Sequence, residues 1–225
     1  MISTCCIMLI FLRPDLRGRG NDGQWLYKEI MTVTSVLFAG VGGQGIILGS
    51  IALAKCAYLE GLMVKESELH GMAQRGGSVT SHVRFGEEVY SPLIPRGKAD
   101  YLVAMEELEG LRHVAYLKKN ASIILNQRKM PPSTVTQNAA AYPEDVKSQL
   151  ESMGFHVIAL NALEIAKTLG NLKVENIILL GALSLHLPFA VSTWERVIRE
   201  SVPAKTIDIN LAAFMKGRKI TAEKE

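Results

Sequence analysis

Two short segments contain residue types whose spacing could bind a ligand or face a protein partner. The first, GVGGQG at 40–45, has the G-x-G-x-x-G spacing and lies between an apolar strand-like run and an apolar helix pattern. This is the context of a dinucleotide fingerprint, in which glycines permit a tight turn and helix N–H groups favour an anion. It indicates NAD, FAD or another phosphate-bearing ligand, or else a turn that serves only close helix–strand packing. The candidate residues are Gly40, Gly42, Gly43, Gln44 and Gly45.

The second segment, HGMAQRGGS at 70–78, is a basic and polar stretch that core packing does not explain. Its glycines let the backbone turn and approach another surface. The guanidinium of Arg75 can bind a phosphate or carboxylate through two parallel hydrogen bonds. Together these features favour a ligand- or partner-facing surface over an ordinary loop. The candidate residues are His70, Gln74, Arg75, Gly76, Gly77 and Ser78.

A nicotinamide enzyme is the main alternative that the glycine motif leaves open. An acidic residue at the end of the second strand would then bind the ribose, and Glu66 or Glu68 is the candidate. Two facts argue against this alternative. Both residues lie directly before the polar segment, and the chain has no second domain of a size to hold a substrate beside a nicotinamide. A free-standing Rossmann-type nucleotide-binding protein, an NAD(P)-dependent oxidoreductase and a sensing or scaffold module without any reaction all stay open.

Composition narrows the class of protein. The chain has 225 residues, 48% of them hydrophobic, which suits one well-buried domain with a small appendage. The net charge is +3 with scattered Lys and Arg residues, so no nucleic-acid partner is predicted. No apolar run is long enough for a membrane span. The three cysteines form no disulfide framework, which suits a reducing cytoplasm, and a four-iron cluster usually needs four cysteine ligands. The histidines predicted to be structural or solvated are His82, His113, His156 and His186.

The first 30 residues lie outside the expected domain. Their apolar stretch CCIMLIFL lacks the preceding basic region and the following cleavage site of a signal peptide. We expect residues 1–30 to be an extension, with translation starting at Met31 as one explanation and an anchor or an added strand or arm as others. Residues 31–225 are predicted to form the domain.

The remaining pattern alternates strands with helices through short connections, which predicts an α/β fold. We expect a Rossmann-like, mostly parallel sheet flanked by helices, with an edge β-hairpin formed by 78–86 and its return through 87–94. Predicted strands are 35–39, 62–66, 99–106, 121–126 and 155–161. Predicted helices are 46–60, 108–117, 144–154, 162–170 and 208–219, and one within 192–203 that has Ser192 or Thr193 as N-cap and Pro203 beyond its end. The segment 174–187 could be a buried helix or a strand, and its length favours a helix.

A resemblance to gamma-type subunits of 2-oxoacid:ferredoxin oxidoreductases is carried by two stretches, FAGVGGQGIILGSIALAKCAYLEG and ESELHGMAQRGGSVTSHVRFGEEVYSPLI. Within that family the sequence HGMAQRGGSV is most similar to that of small (beta) subunits of indolepyruvate ferredoxin oxidoreductases. The resemblance runs from about 35 to 214 and leaves the first 30 residues outside.

The resemblance implies a reaction and a division of labour. An arylpyruvate is oxidatively decarboxylated on thiamine diphosphate, electrons pass through 4Fe-4S clusters to ferredoxin, and the acyl group leaves on coenzyme A. The large (alpha) partner subunit of such complexes carries thiamine diphosphate, magnesium and the clusters. This chain has no Gly-Asp-Gly followed by Asn that would place the magnesium, so no catalytic residue and no metal site are expected on it. The glycine turn and the polar segment would face the partner near the coenzyme A path.

Overall fold

The computed structural model describes residues 33–70, 77–130 and 142–223, together with the backbone of 9–12. The strands are β1 Leu9–Leu12, β2 Thr34–Val41, β3 Met63–His70, β4 Ser78–Gly86, β5 Ala99–Ala104, β6 Leu117–Asn126 and β7 His156–Leu160. The helices are α1 Ile46–Leu59, α2 Glu107–Arg112, α3 Val146–Ser152, α4 Ala162–Thr168, α5 Glu175–Leu183, α6 Val191–Ser201 and α7 Ile207–Ala222. Short 3-10 turns occupy Val114–Tyr116, Leu172–Val174, Ser184–His186 and Ala204–Thr206.

All seven strands form one sheet in the order β1-β3-β4-β2-β5-β6-β7. The pairs β2–β5, β5–β6 and β6–β7 are parallel, whereas β4 is antiparallel to both β2 and β3. Therefore β2, β3, β5, β6 and β7 run in one direction, and β4 and β1 run in the other. The predicted α/β class with a mostly parallel sheet is confirmed.

The predicted pairing of 78–86 with a return strand over 87–94 is wrong. A hairpin does lie toward one edge of the sheet, but its strands are β3 and β4, and β4 lies inside the sheet between β3 and β2. The expected return through 87–94 has no strand, and it includes Pro92, with Pro95 directly beyond, neither of which has an N–H to donate to a ladder. Polar and apolar residues alternate along 78–86, which suggested an exposed face, but this alternation has another cause. Ser81 and His82 are buried with partners, since Ser81 donates to Glu66 and the Nδ1 of His82 accepts from the N–H of Ile94.

Helices cover both faces of the sheet. Alternate residues of β2 face opposite cores, so Val36 and Phe38 pack with α1 and α5–α7, while Leu37 packs with α2 and α3. A strand buried on both faces needs a continuous apolar sequence, and β2 has one. The long segment that length favoured as a helix contains α5, which is buried almost throughout.

Several element boundaries differ from expectation. The helix predicted over 108–117 ends at Arg112, and β6 starts at 117 rather than 121. The N-cap of α6 is Ala190, not Ser192 or Thr193. Thr193 instead lies in the first turn, where its hydroxyl donates to Glu60 at 2.6 Å, so this side chain joins α6 to the end of α1.

Within the predicted extension, β1 pairs antiparallel with β3, and Leu9 lies opposite Ser67. The division at residue 30 and the start at Met31 stay predictions. None of the helices in the described ranges has the length and apolar character that crossing a membrane requires.

Candidate functional site

The glycine turn follows the carboxyl end of β2 and leads into α1. Gly45 is the N-cap of α1 with φ 77°, and Gly43 has φ 99°, so both lie in the left-handed region that favours glycine. A Cβ atom at Gly40 would lie 2.7 Å from the Cβ of Met105. The turn therefore needs glycine at these positions because of conformation and close packing.

The side chain of Gln44 stabilises this turn from inside. Its Oε1 accepts a hydrogen bond from the N–H of Val41 at 2.7 Å. Its Nε2 donates to the carbonyl of Met105 at 2.9 Å and lies 3.3 Å from the Sδ of Met130. Gln44 thus joins the turn to the ends of β5 and β6, a structural role beside the predicted ligand-facing one.

A cleft of about 580 Å³ opens beside the turn, at the carboxyl ends of β2, β5 and β6. The helix after β2, α1, packs on one face of the sheet, and the helix after β5, α2, packs on the other. Ligands of open α/β sheets bind in the crevice at such a switch point. Besides the turn residues 42–45, the cleft is lined by Leu48, Met105, Asn126, Arg128, Met130, Leu172, Lys173, Glu175 and Asn176.

Charge in the cleft is mixed, with cations toward the rim. Arg128 forms an ion pair with Glu175, and the amide of Asn126 lies 3.3 Å from the same carboxylate. Lys173 is exposed at the rim. Together with the free N–H groups at the start of α1, the two cationic side chains could bind a phosphate or carboxylate.

Asn176 joins the two helices that border the cleft. It is only 3% exposed, and its Nδ2 donates to the carbonyl of Gly45 at 3.1 Å. Its Oδ1 is buried and has no hydrogen-bond partner within the described part of the chain. A buried amide oxygen without a donor is costly, so this atom lacks compensation for its burial among the described residues.

The structure brings the end of the polar segment to the glycine turn. The backbone N–H of Gly42 donates to the carbonyl of Gly77 at 3.0 Å, and the hydroxyl of Ser78 donates to Glu109 at 2.5 Å. His70 is the last residue of β3, and its backbone lies opposite Val79. The predicted site residues Gln74, Arg75 and Gly76 lie outside the described residues, as does the side chain of His70.

The ribose role considered for Glu66 and Glu68 is wrong. Both residues are buried in β3, and β4 separates β3 from the glycine-bearing strand β2. Glu66 instead accepts hydrogen bonds from Ser81 at 2.5 Å and Ser50 at 3.3 Å. Burial raises the pKa of Glu66, and the neighbouring Glu68 raises it further, against the lowering effect of the serine hydroxyls.

Sequence reasoning missed the cleft residues on β6 and α5. A signal was present, because Asn126 ends a predicted strand and Arg128 follows it closely, where ligand-binding residues of α/β folds concentrate. The described residues contain no group of three or more His, Cys, Asp or Glu side chains arranged to hold a metal ion.

Comparisons with known proteins agree with the α/β fold described above. A family model described as pyruvate ferredoxin/flavodoxin oxidoreductase matches residues 35–220. The chain belongs to this family. Among its curated members, the indolepyruvate oxidoreductase subunit IorB of Thermococcus kodakarensis is 42% identical over 194 residues, which cover 84% of this chain and 96% of that protein. The predicted resemblance is thereby confirmed.

Solved structures of family members share the fold. The gamma subunit of a keto/oxoacid ferredoxin oxidoreductase from Geobacter sulfurreducens superposes with a TM-score of 0.63 at 23% identity, covering 84% of this chain and 99% of that one. A 2-oxoglutarate:ferredoxin oxidoreductase from Magnetococcus marinus, solved with 2-oxoglutarate, coenzyme A and succinyl-CoA bound, gives 0.66 at 21% identity. That match covers 85% of this chain and 31% of the longer chain.

Proposed function

We propose that this chain is the small subunit of a complex that oxidatively decarboxylates arylpyruvates, with indolepyruvate as the first candidate. The 2-oxoacid and coenzyme A give the aryl-acetyl-CoA thioester, carbon dioxide and a proton, and two electrons reduce ferredoxin. The observation that carries this proposal is the 42% identity to the indolepyruvate oxidoreductase subunit of T. kodakarensis over nearly its whole length. The matched family region, 35–220, includes the glycine turn and both ends of the polar segment.

We assign the redox chemistry to the large (alpha) subunit, which would hold thiamine diphosphate, magnesium and the 4Fe-4S clusters. The sequence supports this division, since the chain has three cysteines and a four-iron cluster usually takes four. Ferredoxin would receive electrons through the complex, and this chain would be inactive alone. A cytoplasmic location, predicted from the cysteine usage, is part of the proposal.

The part of this chain in the reaction would be to complete the coenzyme A path beside the partner's active site. The cleft has the chemistry that a phosphate-bearing ligand needs, namely the N-terminus of α1, Arg128 and Lys173. The bond between Gly42 and Gly77 joins the polar segment to that cleft, so one surface would include both predicted segments. Replacing Arg75 by Ala should weaken assembly or raise the KM for coenzyme A, and an unchanged value of both would refute this placement.

The deciding experiment is ferredoxin or viologen reduction with indolepyruvate and coenzyme A. It compares this chain alone, the large subunit alone and the two mixed. Activity only in the mixture is the expected result. A stable but inactive mixture would move the substrate to another 2-oxoacid, and no association would refute the subunit assignment. Saturable NAD binding by the isolated chain would favour the free-standing nicotinamide enzyme instead.

A further inference from the structure

Glu109 lies on α2, outside both candidate segments, yet its carboxylate contacts the first residue of β4. Its Oε2 accepts from the hydroxyl of Ser78 at 2.5 Å, and its Oε1 accepts from the guanidinium of Arg112 at 2.7 Å. The residue is only 2% exposed. A buried carboxylate is tolerated when hydrogen bonds and an opposite charge compensate for lost water, and Glu109 has both.

The position of Glu109 is fixed by the packing of α2. The side chain of Glu106 caps this helix by accepting from the N–H of Glu109 at 2.9 Å. The next residue, Gly110, lies so close to the sheet that a Cβ atom there would be 3.2 Å from Leu125 and 3.3 Å from Ala104. The helix therefore presents the carboxylate from a rigid base.

The contact with Ser78 has a consequence for the glycine turn. Ser78 follows Gly77, whose carbonyl accepts the N–H of Gly42 in that turn at 3.0 Å. The chain of contacts runs from α2 through Ser78 and Gly77 to Gly42. Movement of Ser78 away from Glu109 would displace the acceptor of the Gly42 amide.

We propose that Glu109 is a positioning residue that holds Gly77 and Ser78 against the glycine turn, so that these two residues and the turn present one surface. The inference rests on the proposed function, in which that surface completes the coenzyme A path of the complex. Glu109 acts through Ser78 and does not itself contact the substrate.

The test uses the assembled complex with four single variants of this chain, Ser78→Ala, Ser78→Thr, Glu109→Ala and Arg112→Ala, and with the double variant Ser78→Ala/Glu109→Ala. The first and third remove the contact, and Ser78→Thr keeps the hydroxyl. Arg112→Ala is the matched control, because it removes a different partner of the same carboxylate through a side chain that is 43% exposed. Ser78→Ala and Glu109→Ala should each raise the KM for coenzyme A about tenfold, the effect of losing one hydrogen bond to a charged group.

The following comparisons distinguish a positioning role of Glu109 from a general effect on the stability of the protein. The double variant should be no worse than Glu109→Ala alone, because the two residues act as one unit. Ser78→Thr and Arg112→Ala should stay within about twofold of the parent KM. A lowered thermal midpoint with an unchanged KM in the Ser78→Ala complex would overturn the proposal, as would equal effects of Arg112→Ala and Ser78→Ala.

A second readout is independent of activity and of whether Glu109→Ala folds. Hydrogen exchange at the Gly42 amide should accelerate about tenfold in Ser78→Ala, because its acceptor Gly77 is displaced. The Gly97 amide, which donates to Ala115 over the same 3.0 Å, is the internal control and should not change. If the wild-type mixture reduces no ferredoxin, the proposed function fails while this exchange result still decides the positioning. Equal acceleration at both amides, or at neither, would refute it.

Discussion

Two groups of glycines in this protein have opposite surroundings. Where α5 crosses α7, a Cβ atom at Gly181 would lie 2.2 Å from the carbonyl oxygen of Phe214. At Gly217 it would lie 2.0 Å from the carbonyl oxygen of Ile178. Both obstacles are backbone atoms of packed helices, which cannot rotate aside. This contact is closed, and its glycines serve helix packing.

The glycine turn has a different environment. A Cβ atom at Gly45 would meet the side-chain Nδ2 of Asn176 at 2.5 Å, and at Gly43 it would meet nothing within 4 Å. One side of the turn is the cleft of about 580 Å³. Space for a ligand thus remains beside the turn but not at the helix crossing. The proposed binding role therefore suits the turn, whereas packing explains the glycines of the helix crossing.

The largest expected effect tests the closed region. Gly217→Ala should lower the free energy of unfolding by about 3 kcal/mol or more, the upper part of the range for overpacking, because two helix backbones must separate. Denaturant unfolding measures the change, and Ala212→Ser at an exposed position of α7 is the control. A loss below about 1 kcal/mol would show that the crossing is adaptable and would remove the contrast with the turn.

Gly45→Ala should have an intermediate effect of about 2 kcal/mol on the same measurement, because alanine is strained at φ 77° and its methyl displaces Asn176. Gly43→Ala carries only the conformational cost, about 1 kcal/mol. The double variant Gly45→Ala/Asn176→Ala should be less than additive, because removing the amide relieves the steric contact. Equal losses at 43 and 45 would mean that conformation alone requires these glycines.

The turn itself could be predicted from sequence, because its signals are local. An apolar run, the spaced glycines and a following helix pattern occupy neighbouring residues, and the structure has β2, the turn and α1 in that order. The length of the apolar run likewise indicated the helix that contains α5. The end of the polar segment at Gly77 and Ser78 was predicted as a candidate surface, though not its contact with Glu109.

The strand order and the cleft could not be predicted, because they depend on contacts between distant residues. β4 pairs between β2 and β3, and its polar residues looked solvent-facing because their partners, such as Glu66 on β3, lie on other elements of the fold. Arg128 and Glu175 are separated by 47 residues and meet at the cleft only when β6 and α5 are placed side by side. The alternation of polar and apolar residues along a strand does not show whether a polar side chain faces water or a buried hydrogen-bond partner.

The third prediction sharpens the assignment of binding to the open region. Arg128→Ala in the assembled complex should raise the KM for coenzyme A about tenfold, the loss of one charge-assisted hydrogen bond, with little change in unfolding. Lys205→Ala, at an exposed lysine outside the cleft lining, is the charge-matched control. If both variants raise the KM for coenzyme A equally, the effect comes from net charge. That result would contradict the proposed binding role of the cleft.

The smallest effect concerns how the two regions tolerate charge. Arg128 and Glu175 form an ion pair at the open cleft, whereas Glu66 is 1% exposed beneath α1, and one of its oxygens has no partner among the described residues. Burial raises the pKa of Glu66, so the folded state binds its proton more tightly than the unfolded state does. Its contribution to stability is complete below the ordinary pKa of 4.5 and is lost as the pH rises through the raised value.

Glu66→Gln keeps the shape and removes the charge. It should therefore stabilise the protein by about 1 kcal/mol at pH 8, the cost of one unsatisfied buried polar group, and have no stabilising effect at pH 4. Unfolding by denaturant at both pH values measures this difference. Glu164→Gln, at an exposed carboxylate of α4, is the control and should show no such dependence on pH. A destabilised Glu66→Gln at pH 8 would mean that the interior beneath α1 stabilises the ionised carboxylate, which would remove the contrast in charge between the two regions.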